Sequence, residues 1–271
     1  MQHCSRSAQT GSARPPTRDG HSAEDRAAVR HSNYPLVNAD APREDHVATL
    51  PADAHGTMGP EGVDEMTLDR DFWEQRWSQA LREHGDKVAK MPPNEHLTDA
   101  VRDLRPGRAL DAGCGHGAET LWLAARGWTV TAVDFSATAL DHARSTAAAV
   151  GADVAKRVDW VEGDLATWTP QPRHYDLVVC LYVHVAGSVE EMVRRMAAGV
   201  APGGTLMLVG HRPIDPATGA ETPAAGQVQV SVEEAIAALD PDRWEFNVAE
   251  DRPRAAVGTG VDAVICARHL P

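Results

Sequence analysis

The chain has few lysines and no long basic segment. Only three lysines occur among 271 residues, and the formal net charge is −13 at pH 7. Proteins that bind nucleic acid neutralise backbone phosphates with clusters of Lys and Arg. Net charge does not describe a local patch, but this composition favours a small-molecule substrate over a nucleic acid.

Long apolar runs and paired cysteines are also absent. No run approaches the ~20 apolar residues that a membrane-spanning helix needs, and the first residues lack the apolar segment of a secretory signal. The cysteines are far apart, with no C-x-x-C spacing and no Cys/His cluster typical of zinc. We therefore predict no metal, no membrane contact and a reduced cytoplasmic compartment for a chain whose cysteines are Cys4, Cys114, Cys180 and Cys266.

The first 65 residues contain Ser, Arg, Pro, Asp, His and Gly without a sustained apolar period. Such a segment cannot bury enough surface to offset its chain entropy, so residues 1–65 are predicted to be a disordered tail. Residues 66–271 show alternating strand and helix patterns, which are typical of an α/β domain with a mostly parallel sheet. We expect the first helix to end near His84–Gly85, the fourth strand to cover Leu177–Val183, and the fifth to cover Thr205–Val209.

A glycine-rich bend follows the first predicted strand. The segment Ala109–Gly117 reads A-L-D-A-G-C-G-H-G, and a helix with an apolar face begins at Ala118. Glycines between a strand and a helix let the backbone lie against a nucleotide-like ligand. Gly113, Gly115 and Ala118 fit a nicotinamide dinucleotide fingerprint, which is a weak signal alone. Asp111 instead favours a ligand that carries an ammonium and a sulfonium, because a pyrophosphate has no use for a carboxylate there.

Two further acids follow the next two predicted strands. Asp134 comes 21 residues after Gly113, where a carboxylate can accept hydrogen bonds from both ribose hydroxyls. Asp164 can accept a hydrogen bond from an adenine amino group. Phe135 and Leu165, each next to an acid, can sandwich the adenine ring. Either Asp can instead be a helix cap or a turn residue, since Asp favours both.

These motifs together resemble the class I S-adenosylmethionine-dependent methyltransferases. The family's features occur in order: D-x-G-x-G-x-G from Asp111, an acid that ends the second strand, and Gly163–Asp164 at the end of the third. Tyr175–Val179 resembles the family's fourth strand, and Ala201–Leu206 resembles its turn into the fifth. The resemblance covers roughly residues 70–268.

The resemblance implies a fold, a cofactor and a set of contacts. Phe72–Trp77 is similar to the opening helix of bacterial small-molecule methyltransferases of the thiopurine and tellurite-resistance type. The implied fold is a Rossmann-like α/β sheet of seven mostly parallel strands in the order 3-2-1-4-5-7-6, with strand seven antiparallel and helices on both faces. The implied cofactor is S-adenosylmethionine, and the predicted cofactor-binding residues are Asp111, Gly113, Cys114, Gly115, Gly117, Asp134, Phe135, Asp164, Leu165 and Cys180.

Candidate catalytic residues follow the fourth and fifth strands. Methyl transfer from a sulfonium is an in-line displacement, so the protein supplies positioning and, for some acceptors, a base. Histidine, with a pKa of about 6.5, is a usable base at neutral pH. We predict Tyr182, His184 and His211 as catalytic residues facing one pocket, with His184 contacting the acceptor. Each histidine can also be a hydrogen-bonded loop residue, and a thiolate acceptor needs no strong base.

Two segments are candidates for covering this site. The stretch between His211 and Val230 is rich in Pro, Ala, Gly and Thr. Loops of that length often act as lids, although this one can also be a plain surface insertion. The helix that carries Trp73 and Trp77 can fold over the cofactor, or its aromatics can be ordinary core residues. Cys114 can likewise be only a small residue that a tight bend tolerates.

Enzymes that methylate exocyclic amines of nucleic-acid bases often carry N/D-P-P-Y/F after the fourth strand, but this chain reads L-Y-V-H from Leu181 to His184. Besides such a nucleic-acid methyltransferase, three functions remain open at this point. The leading hypothesis is a methyltransferase that acts on a small molecule. One alternative is an NAD(P)-dependent oxidoreductase, whose fingerprint requires neither Asp111 nor the Gly163–Asp164 strand end. The other is a cofactor-binding module without catalysis. No oligomeric state is predicted.

Overall fold

The computed structural model describes residues 70–184, 187–222, 224, 227–254 and 260–271. All of these residues belong to one compact unit. The predicted disordered tail, residues 1–65, lies outside the described residues, so that boundary stays a prediction.

Seven strands and seven helices make up the described part of the chain. The strands are β1 (Arg108–Ala112), β2 (Thr129–Asp134), β3 (Val158–Glu162), β4 (Tyr175–Leu181), β5 (Val200–His211), β6 (Trp244–Pro253) and β7 (Val261–His269). The helices are α1 (Arg70–Val88), α2 (Glu95–Val101), α3 (Ala118–Ala125), α4 (Ala137–Val150), α5 (Ala152–Ala155), α6 (Val189–Ala198) and α7 (Val232–Ala238). Within these described elements, no helix combines the length and the apolar character that crossing a bilayer would require.

The strands form one sheet in the order β3-β2-β1-β4-β5-β7-β6. Strands β1 to β5 run parallel, and β7 pairs antiparallel with both β5 and β6. The predicted order and the antiparallel seventh strand are therefore confirmed. The order reverses between β1 and β4, and sheets of this kind bind ligands beyond the carboxyl ends of their strands at that point. Because β7 is antiparallel, its start reaches the same edge, where Asp262 pairs with His211 of β5.

Alternate residues of β4 pack on opposite faces of the sheet, as the pleat of a strand requires. Leu177 and Val179 belong to a hydrophobic cluster with residues of α2, α3 and α5. Val178 and Cys180 belong to a second cluster with residues of α6 and α7. None of the four is more than 2% exposed, and burying a Leu-sized side chain contributes about 1.5–3 kcal/mol. Helices thus cover both faces, which confirms the prediction and holds the strand ends in fixed positions.

Side-chain caps begin several of these helices. The Ser136 hydroxyl accepts a hydrogen bond from the Ala139 amide at 3.1 Å at the start of α4. Ser231 and Glu234 form a reciprocal capping box at the start of α7, in which each side chain satisfies a backbone donor of the other residue. These caps fix where α4 leaves β2 and where α7 begins.

Five predicted boundaries differ from the structure, since β4 also begins two residues before Leu177, at Tyr175, and β5 continues to His211. Helix α1 continues to Val88, and His84 (φ −139°, ψ 23°) marks a kink instead of its end. Strand β5 begins at Val200, five residues before the predicted start. Strand β4 ends at Leu181, because Tyr182 has φ +55°, a conformation that strands do not contain. The residues from Tyr182 to His184 therefore leave the sheet.

Candidate functional site

The glycine bend (Gly113–Gly117) joins β1 to α3, and its glycines have φ values of +80°, +49° and +84°. A Cβ atom on Gly113 would lie 2.4 Å from Val183 Cγ2, and one on Gly115 would lie 2.8 Å from Trp77 Cζ2. Both the left-handed backbone and the close approach of neighbouring segments therefore require glycine. The bend lies between the segment that follows β4 and helix α1.

Asp111 lies at the end of β1 with only 3% of its surface exposed. Its Oδ2 accepts a hydrogen bond from Thr120 Oγ1 at 2.5 Å. Burial, and secondly the nearby Glu119 carboxylate, raise the pKa of Asp111 from 3.8 to about 7. Burial also raises the pKa of Glu119, whose Oε1 accepts a hydrogen bond from the Asn94 amide at 3.0 Å. Both carboxyls therefore resist carrying a negative charge in the unliganded protein.

Asp134 ends β2 and is also buried. Its Oδ2 accepts a hydrogen bond from the Gly115 amide at 2.8 Å, and its Oδ1 accepts one from the Ser136 amide at 2.9 Å. Burial raises the pKa of Asp134, and these two hydrogen bonds partly offset the rise. The carboxylate thus ties the glycine bend to the start of α4. Each oxygen has further lone pairs that can accept hydroxyl groups.

No cationic side chain of the described residues is paired with these three acids. Within the described ranges, no ion pair involves Asp111, Glu119 or Asp134. Burying a carboxylate without a charged partner costs on the order of several kcal/mol. A ligand that places positive charge at the bend would offset that cost. The ammonium and sulfonium of S-adenosylmethionine carry such charge, so the residues present fit the implied cofactor.

Helix α1 covers the glycine bend. The Trp77 ring lies 5.5 Å from the His116 ring, and the Trp73 ring lies 5.1 Å from the His184 ring. Glu74, between the two tryptophans, accepts a hydrogen bond from the Thr138 amide at 3.2 Å. Because both tryptophans are half-buried and face strand ends, they line the edge of the sheet instead of its core.

Two polar atoms of α1 are buried without a hydrogen-bond partner among the described residues. They are Arg76 Nε and Glu74 Oε2. The Arg76 guanidinium lies 5.7 Å from the centre of the Trp73 ring, and burial lowers its pKa. An unsatisfied buried donor costs about 1–3 kcal/mol. A ligand carboxylate at the bend would accept a hydrogen bond from Arg76. The amino acid end of the implied cofactor carries such a carboxylate.

The predicted adenine contacts lie at the ends of β2 and β3. The Gly163 amide donates to the Asp134 carbonyl at 2.9 Å, which brings the two strand ends together. Asp164 is exposed, and its Oδ1 accepts a hydrogen bond at 2.8 Å from the amide two residues later, which is a turn geometry that Asp favours. Leu165 is buried and Phe135 is half-buried. The structure thus places all three predicted contacts at one edge, and Asp164 also has the turn role.

Both predicted cysteine contacts have buried thiols. Cys114 packs with Ala132 and Leu140, and Cys180 Sγ lies 3.7 Å from Met192 Sδ. Burial raises the pKa of Cys180 to about 12, so its thiol stays protonated. Contacts of these two residues with a cofactor would therefore use the main chain, and they stay predictions.

Tyr182 and His211 meet at Asp262, which is 1% exposed at the start of β7. Asp262 Oδ2 accepts a hydrogen bond from the Tyr182 hydroxyl at 2.9 Å, and Oδ1 lies 2.9 Å from His211 Nδ1. Arg254 Nη2 also pairs with Oδ1 at 3.0 Å. Burial raises the pKa of Asp262, but the hydrogen bond from His211 and the charge of Arg254 outweigh it, and the net effect lowers the pKa. We name these four residues and His184 the histidine cluster.

His184 is held from the other side by two glutamines. Its Nε2 lies 3.2 Å from Gln227 Oε1 and 2.9 Å from Gln229 Nε2. Gln229 Oε1 also accepts a hydrogen bond from the His211 amide at 2.6 Å, so it bridges the two histidines. Burial lowers the pKa of both His184 and His211, although the hydrogen bonds that they donate to Gln227 Oε1 and to the Asp262 carboxylate act to raise it. Both imidazoles are therefore neutral at pH 7.

Several residues of this edge were missed by the sequence analysis. Asp262 stands alone in the apolar run V-D-A-V-I, and a single acid in a buried strand is a signal that was available. Gln229 and Arg254 had no such signal, because only tertiary structure brings them beside the histidines. Arg76 and Glu119 lie on helix faces that the apolar pattern alone does not distinguish from solvent-exposed faces.

Comparisons with known proteins match this chain to methyltransferases. The family model described as "Methyltransferase domain" matches residues 109–204. A ubiquinone biosynthesis O-methyltransferase of Xanthomonas campestris pv. campestris (strain B100) is 37% identical over 145 residues, which are 52% of this chain and 56% of that protein. The chain thus spans just over half the length of that curated relative. Ribosomal RNA small subunit methyltransferases of other bacteria are also among the relatives.

Two solved structures share the fold. Magnesium protoporphyrin IX methyltransferase from Synechocystis PCC 6803, with bound S-adenosylmethionine, has a TM-score of 0.54 and 19% identity, and the match covers 78% of this chain and 100% of that one. TehB from Haemophilus influenzae has a TM-score of 0.53 and 19% identity, with 65% and 62% covered. At this level of identity the likeness is one of fold.

Proposed function

Because this chain is a class I S-adenosylmethionine-dependent methyltransferase in its fold and its family model, we propose that it methylates a small molecule bound beside the histidine cluster. The observation that carries the proposal is the group of acids around the glycine bend. Asp111, Glu119 and Asp134 lack a cationic partner among the described residues, beside a strand end where neutral histidines meet. A cationic cofactor and a nearby acceptor account for both features.

S-adenosylmethionine, when bound, supplies a methyl group activated by its sulfonium for in-line displacement. Asp111 and Glu119 would hold the positively charged end, and Arg76 would pair with the carboxylate. Asp134 would accept hydrogen bonds from the ribose hydroxyls. Helix α1 would exclude water, since its tryptophans already lie over the bend and over His184.

His184 is the residue that we place at the acceptor. Its Nε2 faces Gln227 and Gln229, whereas its Nδ1 has no hydrogen-bond partner within the described ranges. The Gln229 amide nitrogen can donate either to His184 Nε2 at 2.9 Å or to Gln227 Oε1 at 3.4 Å. The proposed reactive form uses the second contact, so that His184 Nε2 donates its proton to Gln227 Oε1 and Nδ1 presents a lone pair that can take a proton from the acceptor. Both ring nitrogens of His211 already contact Asp262 or Arg254. We therefore assign His211 a structural role in the pocket.

We further propose that the accepting atom is a hydroxyl oxygen. A neutral histidine is matched to the removal of a proton from a weakly acidic hydroxyl as the methyl is transferred. The similarity to an O-methyltransferase over 145 residues supports the same choice. We propose that the substrate is a small molecule in the cytoplasm and not a nucleic acid, because the formal net charge of the chain is −13 at pH 7.

The test is to incubate the purified full-length chain with labelled S-adenosylmethionine and a metabolite extract. A parallel reaction contains RNA in place of the extract. Mass spectrometry is expected to find one or more metabolites that gain a single methyl group on oxygen. Methylation of RNA alone would overturn the small-molecule proposal.

Cofactor binding is measured separately by titration with S-adenosylhomocysteine and with NADH. Binding of the first and not the second is expected. Binding of NADH alone would support the oxidoreductase alternative. Binding of S-adenosylhomocysteine with no methyl transfer to any fraction would support a non-catalytic module.

A further inference from the structure

A cavity of about 340 Å³ lies next to the histidine cluster. One wall is formed by residues 211–214, which follow β5, and the other by residues 227–231, which lead into α7. His211, Gln227 and Gln229 belong both to the cavity wall and to the hydrogen-bond network around His184. The cavity therefore borders the residues that hold His184, the proposed acceptor position.

Main-chain contacts hold both walls in place. The Arg212 amide donates to the Val261 carbonyl at 2.8 Å, which fixes the first wall to β7. The second wall crosses β5 so closely that a Cβ on Gly210 would lie 2.4 Å from the Val230 carbonyl oxygen. An isolated bridge joins Ile214 to Glu221. The described residues 212–222 thus form a turn closed by this bridge, and Arg212 ties its start to β7.

Arg212 is the paired cation of this cavity. It forms ion pairs with Glu233 at 3.0 Å and with Asp251 at 3.3 Å. Glu234 accepts hydrogen bonds from Ser231 as part of the helix cap and has no cationic partner among the described residues. An anionic ligand group would be opposed by this carboxylate. The rest of the lining consists mainly of apolar side chains and uncharged amides, which suits an uncharged, apolar group.

Apolar surface is also concentrated at the mouth of the cavity. Three large apolar residues of the described part are exposed: Val228 at 62%, Ile236 at 48% and Ile214 at 43%. Val228 and Ile214 both line this cavity, one on each wall. Exposed apolar side chains that face each other across a cleft are typical of ligand-binding grooves.

We propose that the cavity binds the apolar arm of the methyl acceptor, so that the acceptor is an amphiphilic hydroxyl compound such as an alkyl-substituted phenol. This inference rests on the proposed function for the identity of the ligand. Its hydroxyl would lie at His184, and its alkyl chain would pass between Ile214 and Val228. Each buried methylene contributes about 0.8 kcal/mol, which is about fourfold in affinity.

The test is calorimetric titration of the full-length chain with phenol and 4-alkylphenols of two, four and six carbons, with and without S-adenosylhomocysteine. We expect affinity to rise about fourfold with each methylene until the cavity is filled. Val228→Asp should weaken binding of 4-hexylphenol at least about tenfold and leave binding of phenol within about twofold, because a carboxylate at the mouth opposes only the alkyl chain. Ile214→Asp should act in the same way.

Ile236→Asp is the matched control, since Ile236 is similarly exposed but lies on α7 outside the cavity. It should leave the whole series unchanged. An affinity independent of chain length, or equal losses in Val228→Asp and Ile236→Asp, would overturn the inference. Alkylphenol binding is also measured without S-adenosylhomocysteine, so the two proposals can fail separately. If the cavity proposal is wrong, alkylphenol affinity does not depend on chain length. If the methyltransferase proposal is wrong, S-adenosylhomocysteine does not bind or no methyl group is transferred.

Discussion

Replacing Asp111 by asparagine should strengthen the unliganded fold at neutral pH and remove most of the affinity for the cofactor. Asn has the same shape and keeps an oxygen for the hydrogen bond from Thr120, so the change removes charge alone. The pKa of Asp111 is raised by burial, and secondly by Glu119, from 3.8 to about 7. At about 1.4 kcal/mol per pKa unit, ionising this residue costs the folded protein up to about 4 kcal/mol.

The free-energy cost of ionising Asp111 in the folded protein depends on pH. It is absent below about pH 4, where the carboxyl is protonated in both folded and unfolded chains, and it grows as pH rises to about 7. Above that pH it is constant. Asp111→Asn should therefore raise the free energy of unfolding by about 2–4 kcal/mol at pH 8 and leave it unchanged near pH 4. Urea unfolding at both pH values measures this.

Asp111→Asn should weaken cofactor binding, although it should stabilise the unliganded fold. The ammonium group of S-adenosylhomocysteine binds the ionised form of Asp111, so the wild-type Kd for this ligand should weaken about tenfold from pH 8 to pH 6. Asp111→Asn should lose this pH dependence and weaken binding at pH 8 at least about 30-fold, which corresponds to about 2 kcal/mol for a truncated buried charge pair. Calorimetry gives both values.

Asp159→Asn is the control, because Asp159 is an exposed acid on β3. It should change neither the stability nor the Kd. If Asp111→Asn binds S-adenosylhomocysteine within about twofold of wild type, or keeps the wild-type pH slope, then the acids do not act as the partner of a cationic cofactor.

Three other predictions concern single residues. His184→Ala should lower kcat about 10²–10⁴-fold for a hydroxyl acceptor and leave the S-adenosylhomocysteine Kd unchanged; wild-type turnover would exclude His184 as the base. Gly115→Ala should destabilise the protein more than Gly203→Ala in urea unfolding, because both have positive φ but only the Gly115 Cβ would lie 2.8 Å from an α1 indole; equal losses would contradict that contact. Asp262→Asn should cost about 3–5 kcal/mol at pH 7, since it removes the buried carboxylate that pairs with Arg254 and His211, whereas Glu233→Gln, at an exposed pair, should cost less than about 1 kcal/mol. Because the folded protein lowers the pKa of Asp262, the difference between wild type and Asp262→Asn should shrink as pH falls below 4.

The cofactor side of the site could be predicted from local sequence, because each of its elements is a short contiguous pattern. The glycine bend needs left-handed backbone within five residues, and only glycine supplies it freely. Asp134 directly ends an apolar run, and parallel strands bring such ends to one edge. The strand order itself came from the family resemblance, since no local pattern reports which strands are neighbours.

The acceptor side could be predicted only in part, because its contacts join distant segments. Tyr182 and His184 were assigned to a strand end, but the positive φ of Tyr182 turns them out of the sheet, and nothing in the residue type announces that turn. Asp262 reaches His211 through antiparallel pairing of β7 with β5. The two glutamines come from a segment whose composition indicated only a loop.

The position of β7 between β5 and β6 has a consequence for synthesis of the chain. Val261, where β7 begins, follows His211, where β5 ends, by 50 residues, which take about 2.5–10 s to translate at 5–20 residues per second. During that interval β5 has no neighbour on the side that β7 later occupies, and its residues 206–209 are strongly apolar. An unpaired apolar strand edge is a template for association with other chains. The nascent polypeptide on the ribosome is therefore the form of this protein most exposed to aggregation.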